Sequence, residues 1–228
     1  GMTNFMKELK PDCLEDIIAG VSLYRPGPMD QIPRYIANKK DPDNAVYTHP
    51  SLKPILSVTY GCMVYQEQVM QIVRDLAGYS LGRADLVRRA MGKKKLDVMA
   101  KEREIFIHGQ VDENGNIIVP GCVRNGIDEA SANKIFDEMA EFAKYAFNKS
   151  HAAAYAVVSY RTAYLKAYYP AEFMAAMLNS FLGNLDKIPG YIEECKRLGI
   201  EILKPDMNKS ETKFTVDKNQ IRFGLRKH

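Results

Sequence analysis

The sequence of 228 residues predicts a mainly α-helical protein of many helices, with a small β-hairpin near the C-terminus. Through most of the chain, apolar residues recur every three or four positions, which is the spacing of one helix face. Glycine and proline separate these stretches. After residue 200 the pattern changes to the alternation that is typical of short strands. These three observations define the fold class.

In the first half of the chain, the elements follow from apolar spacing and from helix caps. Pro11 is expected at the first position of a first helix, and a short helix is expected at residues 31–39 after the break at RPGPMD. The clearest amphipathic helix ends at Gly78, and Ser80 is expected to cap the next helix. A charged helix follows at residues 96–108. The apolar face of the amphipathic helix consists of Tyr65, Val69, Ile72, Val73 and Leu76.

In the second half, Asn114-Gly115 between extended residues predicts a small hairpin or loop. An amphipathic helix through Ile135 and Met139 comes next, and Ser150 is expected to cap a helix that stops at Pro170. That helix, HAAAYAVVSYRTAYLKAYY, is apolar nearly all round in its first half, so we expect the helix to be central and buried. Further helices are expected at residues 170–182 and 185–198, and two strands at residues 213–216 and 221–225.

Composition limits the classes of function. A formal net charge of +4 gives a weak global field, so an anion site requires local clustering of basic residues. The sequence has no apolar run long enough to span a bilayer and no secretory signal. The four cysteines are far apart, which predicts reduced thiols in a cytoplasmic protein, and neither they nor the four histidines show metal-ligand spacing. The chain ends at FGLRKH without a closing element, so we expect a longer parent polypeptide.

The segment LVRRAMGKKK, residues 86–95, is the densest basic cluster. Five of its ten residues are cationic, and they flank Gly92. Such a cluster offers several donors to one anion, either a nucleic-acid backbone or a nucleoside triphosphate. The same pattern also suits an ordinary helix end, with Gly92 as its stop and Asp85 pairing with Arg88 or Arg89 at helical spacing. From the cluster alone, the two interpretations are about equally good.

The segment FNKSHAAAY, residues 147–155, is a second candidate anion site. Its polar residues gather where free backbone N–H groups and the positive end of the helix dipole favour phosphate. Lys149 adds a charge, Ser150 and His151 add donors, and Tyr155 could offer a ring face to a base. In the alternative interpretation, Ser150 is a cap, His151 an ordinary residue of the first turn and Tyr155 a core residue. Taken together, the four residues favour the interpretation as a phosphate-binding site.

Four long strings carry a family resemblance. They occur in the same order as in the alpha subunit of bacterial DNA polymerase III, the C-family of replicative DNA polymerases, and the resemblance covers nearly the whole chain. The strings are YRPGPMDQIPRYI, HPSLKPILSVTYGCMVYQEQVMQI, LAGYSLGRADLVRRAMGKKK and FAKYAFNKSHAAAYAVVSYRTAYLKAYYPAEFMAAML. The region resembles the fingers domain with the edge of the palm. The resemblance implies a palm–fingers junction at residues 1–40, helical fingers at 41–200, and at 201–228 a short β segment leading to a helix-hairpin-helix region that is expected to be missing from this chain.

The resemblance implies template-directed DNA synthesis by the full-length subunit. A primer 3′-hydroxyl attacks the α-phosphate of a deoxynucleoside triphosphate, and two Mg²⁺ ions are held by palm aspartates. This chain lacks the family's palm aspartate pair, because its aspartates are scattered, so we expect no polymerase activity and no cofactor in the chain alone. The scattered aspartates considered are Asp85, Asp112, Asp128 and Asp137. The implied partners are primer–template DNA, deoxynucleoside triphosphates and other replisome subunits, with no membrane.

The fingers are expected to bind the incoming triphosphate and to cover the nascent base pair. The expected nucleotide- or phosphate-binding residues are Arg88, Arg89, Lys93, Lys94, Lys149, Ser150, His151 and Tyr155. The DNA-binding expectation is weaker and concerns Lys95, Arg25, Arg34, Arg161 and Lys166. The two basic segments are expected to face one shared cleft. Gln66 and Glu67 receive no role.

Three alternatives remain at this point. One is a stand-alone helical nucleic-acid-binding module, and another is a structural interaction domain whose basic clusters are solvated faces. The third is an error-prone relative within the same polymerase family, although VYQEQVM with RRAMGKKK is closer to the replicative form.

Overall fold

The computed structural model describes residues 1–93, 96–184 and 186–225, and its mainly helical class confirms the prediction. Short 3₁₀ turns occupy residues 28–31, 42–44, 50–52 and 57–59. No helix in the described part is both long enough and apolar enough to cross a membrane. The helices are α1 (Met2–Leu9), α2 (Leu14–Leu23), α3 (Ile32–Lys40), α4 (Lys53–Leu56), α5 (Gln66–Ala77), α6 (Leu81–Gly92), α7 (Leu96–His108), α8 (Glu129–Phe142), α9 (Lys149–Tyr168), α10 (Pro170–Ser180) and α11 (Ile188–Arg197).

The strands form two small sheets. β1 (Gln110–Val111) pairs antiparallel with β2 (Ile117–Val119) around the predicted Asn114-Gly115 turn. In the second sheet, β4 (Thr215–Asp217) and β5 (Gln220–Arg222) form the predicted C-terminal hairpin. β3 (Ile202–Leu203), which was not predicted, pairs parallel with β5. A two-residue strand leaves too short an alternation to be recognised in a sequence.

The chain divides within α9 into two compact units, Gly1–Ala156 and Val157–His228. The first unit contains two buried clusters. One joins α4 through α8 around Ile72, Phe106 and Met139, and the other joins α1 through α3 with Ala152 and Ala156 of α9. In the second unit, α10 and α11 pack with the three-stranded sheet around side chains that include Leu178, Cys195 and Ile221. The expected division at residues 40 and 200 stays a prediction.

The start of the chain differs from the prediction. α1 was not predicted, and α2 begins at Leu14 rather than at Pro11. Lys10 ends α1 in the left-handed conformation, with φ of 48°, and Cys13 is the extended residue that precedes α2. Pro11 therefore follows the end of one helix instead of starting the next, which is the other common place for proline.

The α5–α6 hairpin follows the prediction closely. Gly78 ends α5 with φ of +79°, and a Cβ at this position would lie 2.6 Å from the Pro120 Cδ atom, so the position requires glycine. The hydroxyl of Ser80 caps α6 by accepting a hydrogen bond from the Arg83 backbone N–H at 3.3 Å. Because a short connection joins two helices that pack together, α5 and α6 run antiparallel.

The prediction that α9 is a buried helix was wrong. Among its twenty residues only Ala152 and Ala156 are buried. The exposed large hydrophobic side chains of this helix are Tyr155, Val158, Tyr160, Tyr164, Leu165 and Tyr168. Apolar residues all round a helix indicate that it can be covered on every side, but they do not show that the covering surface belongs to the same chain.

Candidate polyphosphate site

At the end of α6, one carboxylate binds two arginines. Asp85 Oδ1 accepts hydrogen bonds from Arg88 Nε at 3.1 Å and Nη2 at 2.8 Å, and Asp85 Oδ2 lies 2.7 Å from Arg89 Nε. The Arg88 hydrogen bonds, with the charges of both guanidinium groups, hold the pKa of Asp85 below its ordinary value. The pairing with Asp85 that the spacing predicted is thus present, and both arginines also lie on one side of the helix end.

The rest of the basic cluster extends beyond α6. Lys93 is exposed, and its backbone N–H caps the helix by donating to the Arg89 carbonyl oxygen at 3.0 Å. The helix ends at Gly92 as predicted, but Gly92 is not in the left-handed conformation that a glycine stop usually adopts. The backbone therefore does not require glycine at position 92. Lys94 and Lys95 lie outside the described residues.

The start of α9 is capped by Asn148, so the expectation that Ser150 caps it was wrong. Asn148 Oδ1 accepts a hydrogen bond from the His151 backbone N–H at 2.8 Å. Both oxygens of Glu67 accept from the Lys149 backbone N–H at 3.1 Å. Two of the first-turn N–H groups expected to bind phosphate are thus already bonded to side chains of the protein. Ser150 itself is exposed.

The Lys149 side chain is held between an acid and a ring. Its Nζ atom lies 3.0 Å from Glu15 Oε2 and 5.2 Å from the centroid of the Tyr65 ring. This lysine is only partly exposed, and a phosphate bound there would have to share it with Glu15. Glu15 is far from Lys149 in sequence, so no local pattern could have predicted the pair.

An aromatic row begins just before α9 and continues along its first two turns. The Phe147 and His151 rings are 5.5 Å apart between centroids, and the His151 and Tyr155 rings are 4.8 Å apart. Tyr155 is 57% exposed, so it is not the core residue of the alternative interpretation. Stacking on a base stays a prediction.

The segment before α9 lies beside the N-terminal end of α5 and beside the last residue of α6. The Phe147 carbonyl oxygen accepts a hydrogen bond from the Gln66 backbone N–H at 2.9 Å, and the Gln66 side chain donates to the Ala146 carbonyl oxygen at 3.3 Å. Because α6 runs antiparallel to α5, its last turn lies at this same end, and a Cβ at Gly92 would lie 3.5 Å from the Ala143 carbonyl oxygen. Segment 143–149 therefore lies next to both helix ends.

This geometry gives Gln66 and Glu67 the role that the sequence did not supply. Through side chains and backbone, they attach the segment before α9 to the start of α5. They are positioning residues in the first unit, and their partners lie about 80 residues away in the sequence.

The residues of the weaker DNA-binding expectation are dispersed. Arg25 donates to the Tyr145 carbonyl oxygen at 2.7 Å and lies 4.1 Å from the Phe147 ring centroid, so it supports the segment before α9. Arg34 is exposed and borders a cavity of about 380 Å³. In the second unit, Lys166 Nζ pairs with Glu194 at 2.6 Å, and Arg161 is exposed beside tyrosines of α9.

The scattered aspartates each have a structural partner. Asp85 binds the two arginines of α6, and Asp112 accepts hydrogen bonds within the β1–β2 turn from the backbone N–H groups of Asn114 and Asn116. Asp128 caps α8, and Asp137 pairs with Arg103. They therefore do not form an aspartate pair suited to two metal ions.

The described residues contain one cluster with metal-ligand proximity, Asp12, Cys13 and Asp16. Lys39 already lies in it, with Nζ 2.8 Å from Asp12 and 3.0 Å from the buried Asp16. A lysine cation in that position and a soft thiol ligand both disfavour Mg²⁺, which prefers oxygen ligands. The cluster does not fit the magnesium site of a polymerase.

Comparison with known protein families identifies the family of this chain. The model of the bacterial DNA polymerase III alpha subunit finger domain matches residues 1–114. The chain belongs to this family. A helix-hairpin-helix motif matches residues 199–227, on the segment that was expected only to lead toward such a region. The described part of this match contains β3, β4 and β5.

Relatives named DNA polymerase III subunit alpha align over 99% of this chain. The protein from Xylella fastidiosa is 50% identical over 226 residues, the one from Thermus aquaticus is 50% identical over 230 residues, and the one from Pseudomonas aeruginosa is 49% identical over 233 residues. The chain spans 18–19% of the length of these relatives. The resemblance to the fingers family is therefore confirmed for one region of a much longer kind of protein.

Proposed function

We propose that this chain is the fingers part of a bacterial replicative DNA-directed DNA polymerase, and that it binds the incoming deoxynucleoside triphosphate and the primer–template DNA. The observation that supports this function best is that the segment leading into α9 lies beside both the start of α5 and the last residue of α6. Arg88 and Arg89 come from the end of α6, and Lys149 comes from the start of α9. The segment that leads into Lys149 contacts the start of α5 through Phe147 and lies beside Gly92, the last residue of α6, through Ala143.

In this proposal, the arginines neutralise the charge that develops on the β- and γ-phosphates during transfer of the nucleotide. Guanidinium groups suit this task because their planar N–H groups bind phosphate oxygens two at a time. Lys149 supplies a second cation, His151 and Ser150 supply donors, and Tyr155 covers a base. Each exposed cation is worth on the order of 1 kcal/mol or less, but a clustered and partly dry set is worth more.

The chemical step belongs to the full-length subunit. We propose that two Mg²⁺ ions promote the attack of the primer hydroxyl and that aspartates outside this chain hold them. The residues of this chain bind and orient the triphosphate and exclude water from it. The chain alone is expected to be catalytically inactive, and the whole subunit is expected to work in the bacterial cytoplasm with other replisome subunits.

The existing ion pairs do not oppose this function strongly. A triphosphate carries more charge than Glu15, and exposed ion pairs contribute little to stability, so exchange of the Lys149–Glu15 pair for phosphate contacts costs little. The contacts with Asp85 occupy only some of the guanidinium nitrogens of Arg88 and Arg89. The isolated chain is nevertheless expected to bind nucleotide weakly, in the millimolar range or about 4 kcal/mol, because the palm side of the site is absent.

Two alternatives have different signatures. A stand-alone nucleic-acid-binding module would bind DNA as tightly as the full-length subunit does. An error-prone relative within the family would bind triphosphate through the same residues but copy with lower fidelity. The 99% coverage of this chain by relatives named as alpha subunits favours the replicative assignment.

The test is the double substitution Arg88→Ala/Arg89→Ala in a full-length alpha subunit that carries this segment. We expect KM for deoxynucleoside triphosphate to rise about 30-fold, which corresponds to ~2 kcal/mol of lost charge-assisted hydrogen bonds. The matched control is Arg124→Ala/Lys134→Ala, which removes two exposed cations of the same unit. Kinetics of the test variant equal to those of the control would exclude the arginines from the site.

DNA binding by the isolated chain provides a second measurement. Affinity for primer–template DNA is expected to fall steeply with added salt, since each phosphate contact releases counterions. Removing Arg88, Arg89 and Lys93 together should flatten this salt dependence. Equal binding by the wild type and by the triple alanine variant would favour the interpretation as a structural interaction domain.

A further inference from the structure

We propose that Asp85 is a positioning residue whose carboxylate holds the guanidinium groups of Arg88 and Arg89 side by side, so that their remaining N–H groups form one anion-binding edge. The inference rests on the proposed function of the two arginines and adds a residue to it. Asp85 itself would not touch the triphosphate, because a carboxylate repels phosphate.

Helix geometry explains why position 85 can hold both arginines. Consecutive residues of an α-helix point about 100° apart around the axis, so Arg88 and Arg89 would diverge by themselves. Residue 85 lies about 60° to one side of residue 88 and about 40° to the other side of residue 89, which places it between them. A single side chain there can draw the two guanidinium groups together.

The hydrogen bonds leave part of each guanidinium available. Oδ1 of Asp85 accepts hydrogen bonds from Nε and Nη2 of Arg88, and Oδ2 forms an ion pair with Nε of Arg89 at 2.7 Å. Within the described residues, Nη1 of Arg88 and both terminal nitrogens of Arg89 donate no hydrogen bond. Arg89 is also 61% exposed, so its free nitrogens can reach a ligand.

Asp85 has two opposing effects on a bound polyphosphate. Its negative charge lowers affinity, and its hold on two flexible side chains raises affinity by removing the entropy cost of ordering them on binding. The negative charge acts near the surface, where water screens it, whereas the ordering applies to two long side chains at once. We therefore expect the positioning effect to be larger.

The experiment is Asp85→Asn in the full-length alpha subunit that carries this segment. We expect KM for deoxynucleoside triphosphate to rise about tenfold, equivalent to ~1.4 kcal/mol, with kcat within about twofold of the wild type, because the interaction serves binding rather than the chemical step. Asp85→Glu retains a carboxylate that can reach both arginines, so its KM should lie within about threefold of the wild-type value. The matched control is Asp137→Asn, which removes an ion pair with Arg103 in the same unit.

The decisive comparison uses the Arg88→Ala/Arg89→Ala background. If Asp85 acts through the arginines, Asp85→Asn adds nothing to KM there. The positioning role would be overturned if KM were unchanged or lowered in the single Asp85→Asn variant. It would also be overturned if Asp85→Asn raised KM equally in the double-alanine background, or if it caused a loss of kcat that Asp85→Glu does not rescue. A normal KM for Asp85→Asn beside a raised KM for Arg88→Ala/Arg89→Ala would leave the proposed function intact, whereas normal values for both would remove both.

Discussion

Helices α5 and α9 both carry many apolar side chains, but these side chains are covered differently. In α5 they form one stripe, and Val69, Ile72 and Val73 are fully buried against neighbouring helices of the first unit. In the second half of α9 they are distributed around the helix, and Val158 and Leu165 are 58% and 46% exposed. The comparison teaches that a stripe indicates burial within a unit, whereas all-round apolarity does not identify the surface that covers the helix.

The largest effect expected from this comparison is on stability. Ile72→Ala should lower the free energy of unfolding by about 3 kcal/mol, because it opens a cavity in a closely packed cluster. Leu165→Ala should change it by less than about 0.5 kcal/mol, because that side chain already contacts water. Urea unfolding followed by circular dichroism measures both values. A loss of similar size in both variants would show that α9 is covered in solution.

The next largest effect on stability is expected at Gly78, which ends α5. Gly78→Ala should destabilise the chain by about 2 kcal/mol, since alanine is strained at φ of +79° and its Cβ would collide with Pro120. Gly92→Ala is its matched control. There the backbone is not left-handed and the nearest atom to the new Cβ is at ordinary contact distance, so stability should rise by a few tenths of a kcal/mol to about 1 kcal/mol.

A destabilised Gly92→Ala variant would contradict the conformation of this turn. A variant that is more stable but binds triphosphate less well in the full-length subunit would point to a different reason for glycine, namely close approach of the ligand to the backbone.

Local chemistry explains which parts of the fold could be predicted. The cap at Ser80, the stop at Gly78 and the pairing of Asp85 with its arginines depend on residues within one turn of each other, and all three follow from spacing. The cap of α9 could not be predicted from local spacing alone. Asn148 and Ser150 are both good cap residues, and the hydrogen bond from Gln66 to Phe147 holds residue 147 extended, so that the helix begins directly after Asn148.

The candidate site could be predicted only in part for the same reason. Its cations were visible as clusters, but their partners were not. Glu67 reaches Lys149 across 82 residues of sequence, and Glu15 pairs with the same lysine from α2. Contacts of this kind depend on packing, and a single sequence contains no local signal for them.

The smallest expected effect concerns the polar contact that joins α9 to α11 in the second unit. Hydrogen bonds from Arg197 and from Lys166 of α9 lower the pKa of Glu194 to about 2. A carboxyl group whose pKa is lower in the folded chain than in the unfolded chain stabilises the fold above its unfolded pKa, near 4.5, and that contribution is lost as the pH falls toward 2.

Glu194→Gln should therefore reduce the acid sensitivity of the second unit between these values and leave that of α5 unchanged. Hydrogen exchange of α11 amides across this pH range measures the effect, and an identical pH dependence in the wild type and the variant would show that the contact does not stabilise α9. Because Glu194 is only partly buried and its partner Arg197 is exposed, the change should be slight, which distinguishes this surface contact from the buried stripe that fixes α5.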